Sequence, residues 1–162
     1  MIVSFCGHRP DKLSGYKIPN PIYKYVTDKL RETLVELKPK KAISGMALGV
    51  DQWAAEICIK LGIPFIAAIP FKGQESYWPV EARERYYKIL AAASEVHVVN
   101  PGGYASWKMQ TRNQFLVNNC DKLIAVFDGS PGGTKNCLDY AVGREKRIIR
   151  INPQDYKLVS NG

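Results

Sequence analysis

The chain has 162 residues, 46% of them hydrophobic and 23% charged, the make-up of one ordinary globular domain able to bury its own core. No run approaches the roughly 18 consecutive apolar residues of a membrane span. The start, MIVSFCGHRP, lacks the basic n-region and small-residue cleavage site of a signal peptide, so the expectation is a cytoplasmic protein with no membrane association.

Residues 1–6 (MIVSFC) read as a strand, and a loop holding Pro10, Pro19 and Pro21 follows. Ile22, Val26, Leu30, Leu34 and Leu37 then recur at helical spacing up to Lys38-Pro39, where proline disfavours helix in the residue before it. Residues 41–45 (KAISG) are a second strand; Val50, Trp53, Ala54, Ile57 and Leu61 mark a second helix closed by Gly62. Strands are expected at 64–69, 95–99, 122–127 and 147–151, with helices at 80–92, around Phe115 and Leu116, and at 135–143. Apolar strands alternating with helices specify an α/β fold: a Rossmann-like, doubly wound, mainly parallel sheet of about six strands with helices on both faces. Residues 1–151 form one domain, and 152–162 are a polar tail, frayed or lightly docked.

Cys6, Cys58, Cys120 and Cys137 lie in or beside apolar runs with no CxxC spacing, which reads as buried, reduced thiols rather than a metal site. The formal net charge of +8 comes from 23 basic and 15 acidic residues. Those charges are scattered, and they point to an anionic partner without fixing its size.

In doubly wound folds ligands bind beyond the carboxyl ends of the strands, so the residues leaving each strand carry the chemistry. Gly7-His8-Arg9 follows the first strand, where a guanidinium can clamp phosphate oxygens. Ser44-Gly45-Met46-Ala47-Leu48-Gly49-Val50-Asp51 follows the second. Its glycines allow a tight turn and close backbone approach, and Asp51 can cap the helix or hold a ribose hydroxyl. Pro70 opens a long loop in which Trp78 can stack on a base or pack the loop down. Arg112-Asn113 is expected near a helix start, against the usual dipole preference. Asp128 and Gly132-Gly133-Thr134 leave the fifth strand and open another helix, where a phosphate can meet backbone N–H groups.

Taken in order, Ser44 to Asp51, Arg112-Asn113 and Gly132-Gly133-Thr134 resemble signatures of the SLOG superfamily, the Rossmann-like group of Smf/DprA and LOG proteins. SGMALGVDQWAAE at 44–56, IPFKGQESYW at 69–78 and RNQFLVNNCDKLIAVFD at 112–128 resemble most densely its YpsA-like branch. The resemblance implies a nucleotide-type pocket lined by these turns and, by analogy with relatives, a homo-oligomer. LOG enzymes hydrolyse the N-glycosidic bond of nucleoside monophosphates with a PGGxGTxxE glutamate, and here Cys137 stands at that position.

The leading expectation is therefore a module binding a nucleotide or ADP-ribose-like ligand, with no separate cofactor and no metal. One alternative is a nucleotide N-glycosidase, for which Asp51, Glu56 and Glu75 are the candidate carboxylates. The other is DprA-like binding of single-stranded nucleic acid, with Tyr104, Trp107, Lys108 and Arg112 as scattered stacking and cationic candidates.

Overall fold

A computed structural model describes residues 1–159. Strands β1 (Ile2–Gly7), β2 (Lys41–Ser44), β3 (Phe65–Ile69), β4 (Glu95–Val98), β5 (Lys122–Val126) and β6 (Arg147–Ile151) form one sheet in the order β4-β3-β2-β1-β5-β6. Every neighbouring pair is parallel, so each connection crosses over the sheet. The strands alternate with helices α1 (Pro21–Leu37), α2 (Val50–Leu61), α3 (Val80–Ala92), α4 (Trp107–Asn118) and α5 (Gly133–Gly143).

Period-two alternation sorts the strand side chains between two faces. Val3, Phe5, Ala42, Phe65 and Ala67 join a core with α1, α2 and α3. Cys6, Leu123 and Ala125 pack with α4 and α5 on the other face, where the Ser4 hydroxyl also donates to the Leu116 carbonyl at 2.8 Å. Helix α1 shows how local sequence sets an element. The Asn20 side chain accepts from the Tyr23 N–H at 2.9 Å, and Pro21 occupies the first helical position. Ile22, Val26, Leu30 and Leu34 are buried along one stripe, each contributing about 1.5–3 kcal/mol. Lys38 ends the helix in a left-handed conformation, its N–H donating to Leu34.

Two expectations change, and a third takes one of its two forms. Helix α4 begins at Trp107, so Arg112 is mid-helix rather than at an N-terminus. Strand β4 is a sheet edge with Val96 and Val98 exposed, not a strand covered on both faces. The stretch after β6 is ordered from Pro153 to Val159 as a 3-10 turn and a short helix, α6 (Tyr156–Val159). Tyr156 packs against the larger core and α6 lies on α1; positions 160–162 of the expected tail lie outside the described residues.

The order of the sheet reverses at β1, with β2 on one side and β5 on the other. That switch point opens a crevice at the carboxyl edge, because the crossovers from β1 and β5 leave in opposite directions.

Candidate functional site

A cavity of about 410 Å³ occupies this crevice, within the size range of small-molecule sites. Its walls come from the segments leaving β1 and β5, the start of α2 and the middle of α4.

The turn after β2 is closed on itself. The Asp51 carboxylate accepts from the Ala47 N–H at 3.2 Å. The Ser44 hydroxyl accepts from Met46 N–H and donates to the Asp51 carbonyl. The Val50 N–H faces the His8 carbonyl at 3.4 Å. Gly49 has a φ of +93°, and a Cβ there would stand 2.7 Å from the His8 carbonyl oxygen. A Cβ on Gly7 would meet Val50 at 2.6 Å. These two glycines therefore let the exit of β1 cross tightly over the start of α2.

The turn after β5 is open. Gly132, with a φ of +140°, leads into α5, and the Asn136 N–H is bonded to the Gly132 carbonyl. The N–H groups of Gly133, Thr134 and Lys135 precede the first bond of the helical ladder. A Cβ on Gly133 would meet nothing within 4 Å. Lys12, in a 3-10 turn (Pro10–Lys12) after β1, reaches across the crevice. Its Nζ donates to Ser130 Oγ at 2.8 Å and to the Pro131 carbonyl at 2.7 Å. This places an ammonium beside a helix N-terminus, where a cation is normally disfavoured.

Arg112 forms the floor. Its guanidinium lies against Gly45, where a Cβ would be 2.7 Å from Cδ, and donates to the Gly45 carbonyl at 2.6 Å. Nε donates to Asn113 at 3.0 Å. Arg112 is only 5% exposed, and among the described residues neither it nor Lys12 has an ion-pair partner. Burial lowers the Arg112 pKa, opposed by the nearby Asp51 charge, yet a guanidinium stays protonated. Burial also raises the Asp51 pKa, against the pull of Arg112, the Ala47 N–H and Arg9.

His8 lies at the seam between β1 and β5. Its Nε2 is 3.0 Å from the Asp128 N–H and 2.9 Å from Asp128 Oδ1. Burial lowers the His8 pKa despite the Asp128 charge. Burial works against the Asp128 carboxylate, but hydrogen bonds from Ser130 and the proximity of His8 hold its pKa below the usual range.

The YpsA family model, described as the YspA SLOG family, matches residues 3–156. The chain belongs to this SLOG family. A SPbeta prophage-derived protein of Bacillus subtilis, YoqJ, is 35% identical over 142 residues, covering 75% of this chain and 83% of YoqJ. Among solved structures, the DNA processing protein A (DprA) of Streptococcus pneumoniae aligns with a TM-score of 0.65 at 18% identity. The alignment covers 99% of this chain but only 56% of that one, so the chain spans just over half of the pneumococcal protein. The DprA of Helicobacter pylori aligns with a TM-score of 0.65 at 17% identity, covering 99% and 73%. The molybdenum cofactor carrier protein of Chlamydomonas reinhardtii gives 0.60 at 16%, covering 99% and 82%. These structural likenesses establish a shared fold.

In this SLOG domain the cavity brings together Gly7, His8, Arg9, Asp51, Arg112, Asn113, Gly132, Gly133 and Thr134, all singled out from sequence. Others stand apart. Ser44, Gly45, Met46, Gly49 and Val50 build its frame rather than its lining. The Pro70 carbonyl accepts from Asn100. Trp78 packs edge-on to Tyr86 at 5.2 Å and joins the larger core, because its loop folds back onto α3. Glu56 pairs with Arg85 of α3. Glu75 is buried within the loop after β3. Neither carboxylate lines the cavity.

Sequence reasoning missed Lys12 and Met109, which line the cavity. Lys12 meets its partner 118 residues away, and no local pattern announces such a contact. Cys6 and Cys137 form part of the cavity lining, and all four cysteines are free and buried.

Proposed function

We propose that the crevice between β1 and β5 binds a small nucleotide-type ligand through its phosphate. The observation that carries this reading is the pairing of the open α5 N-terminus with two cations that make no contact ion pair among the described residues. The N–H groups at Gly133 and Thr134, the Lys12 ammonium and the buried Arg112 guanidinium border one cavity. A buried cation with no ion pair in contact is costly even with the Asp51 charge nearby, and a phosphate at a helix N-terminus relieves both that cost and the dipole conflict. Asp51, whose Oδ2 takes the Ala47 N–H, has a second oxygen with which to accept a sugar hydroxyl.

N-glycosidic hydrolysis is the less favoured reading. Of the three carboxylates considered, Asp51 alone lines the cavity, and it caps the Ala47 N–H. Cys137, which the resemblance aligns with the LOG glutamate when the motif is matched at Thr134, is fully buried. Binding of single-stranded DNA, a property of the Helicobacter pylori DprA, is the second reading, and the net charge of +8 supports it.

A thermal-shift series separates the readings. A mononucleotide at about 100 times its dissociation constant adds about 2.7 kcal/mol, a rise of roughly 5–10 °C for a domain of this size. Recovery of the intact nucleotide supports binding without turnover, whereas release of free base identifies a hydrolase. Affinity that grows with oligonucleotide length and falls steeply with salt supports the nucleic-acid reading. Stability unchanged by every phosphate compound refutes the proposal.

A further inference from the structure

A second cavity, of about 220 Å³, shares no lining residue with the anion site. It lies between the proline-bearing loop before α1 and the first turns of α2 and α3, with largely apolar walls from Ile18, Trp53, Pro79 and Ala82. Gln52 of α2 is the exception. It lines the cavity and is 2% exposed. Yet among the described residues its amide makes a single hydrogen bond, from Nε2 to the Met46 carbonyl at 3.4 Å, longer than the usual range of about 2.7–3.2 Å. The carbonyl oxygen and the second amide hydrogen are unused. Among the described residues Arg83 Nε is the one side-chain polar atom sealed inside the protein without a partner, so the Gln52 oxygen opens onto the cavity.

Buried amides are nearly always satisfied, because a hydrogen bond left unmade away from water is costly. A free acceptor beside a free donor complements the edge of a planar ring that carries one of each, as the amino group and ring nitrogen of adenine do. Apolar walls with one placed polar group are the make-up of a small-molecule site. The charges differ from those of the anion site. Arg85 lines this cavity but is paired with Glu56, and the other charged lining residue, Glu81, is acidic, so no unpaired cation is there to receive a phosphate. The volume also falls below the roughly 300 Å³ at which sites for drug-sized molecules begin, which suits one ring system rather than a whole nucleotide. Tyr16, 65% exposed, lines the cavity as well and has a ring available to lie over an occupant.

We infer that this cavity is a second ligand site, which takes a neutral heteroaromatic ring of the free nucleobase class through a paired donor and acceptor contact to Gln52. The site is independent of the anion reading: it uses none of the residues that border α5 and stands whether or not a phosphate binds there.

The test titrates the intact domain with adenine, with unsubstituted purine, which lacks the amino donor, and with inorganic phosphate, read by NMR at the Gln52 side-chain amide, the Trp53 indole N–H and the Ala82 backbone amide. The expected result is saturable shifts at these three groups with adenine, about tenfold weaker binding of purine for the loss of one hydrogen bond, and no response to phosphate. Gln52→Leu should bring adenine down to the affinity of purine, and Tyr16→Ala should weaken both rings alike. The comparison of adenine with purine on the wild type decides the matter even if a variant fails to fold. No saturable shift with adenine, or purine binding as tightly as adenine, overturns the proposal. Adenine shifts at Gly133 and Thr134 with Gln52 unmoved place the ring in the anion cavity and overturn it too, while leaving the anion site standing.

Discussion

Gly49, just before α2, and Gly133, at the start of α5, belong to two glycine-rich turns, and the structure assigns them opposite sensitivities. Alanine at position 49 must adopt a φ of +93° with its Cβ 2.7 Å from the His8 carbonyl oxygen and 3.1 Å from Arg9 Cα. The positive φ alone costs about 1–3 kcal/mol, and the obstruction is backbone, which cannot rotate away. A total loss of about 3 kcal/mol or more follows, equivalent to a fall in Tm of roughly 6–12 °C for a domain of this size. Alanine at position 133 meets nothing within 4 Å and stands at the first position of α5, where exchanging glycine for alanine changes stability by less than about 1 kcal/mol and can raise it. Urea unfolding of both variants, with the slope checked for constancy, measures the contrast. Gly49→Ala as stable as the wild type would refute the claim that this glycine is architectural. A Gly133→Ala variant that lost several kcal/mol would refute the claim that its surroundings are open.

Arg112→Met replaces a buried guanidinium with an apolar side chain of similar reach, so stability should change by less than about 2 kcal/mol in either direction; phosphate-ligand affinity should fall at least tenfold, read by calorimetry. Lys12→Gln keeps a donor for Ser130 and Pro131 but removes the charge beside α5, and its loss of affinity should shrink as ionic strength rises. His8 binds protons less readily folded than unfolded, because its pKa lies below the ordinary 6.5. Its contribution is therefore fully present above that value and is lost as pH falls from 6.5 toward the lower folded pKa. His8→Asn should flatten the fall in Tm over that window, and an unchanged profile would contradict the lowered His8 pKa.

The sheet and its crossovers are readable because they rest on local signals. Apolar runs mark β1, β3 and β5, and the stripe from Ile22 to Leu34 marks α1. The family signatures assign Arg112 and Gly132–Thr134 to one site, and the cavity brings them together. What escapes depends on contacts made only after folding. Gly49 reads as a phosphate cradle because its partner, the His8 carbonyl, belongs to another crossover. The start of α4 is hidden because Ser106 makes no side-chain capping bond and the first turn has no acidic residue, which displaces Arg112 from mid-helix to a supposed terminus. As aromatic residues in the sequence Trp78 and Trp107 look alike; packing sets one against Tyr86 and leaves the other, at the start of α4, exposed.

The most direct test of the central claim is a backbone amide NMR titration of the intact domain with inorganic phosphate and then adenosine monophosphate. The expected result is saturable shifts concentrated at Gly132, Gly133, Thr134 and Lys135, with smaller ones at His8 and Arg9 and none along the closed Ala47–Val50 turn beyond those transmitted by Asp51. Shifts that appear at Ala47 and Gly49 but leave the start of α5 unmoved, or no saturable shifts with either compound, would contradict it.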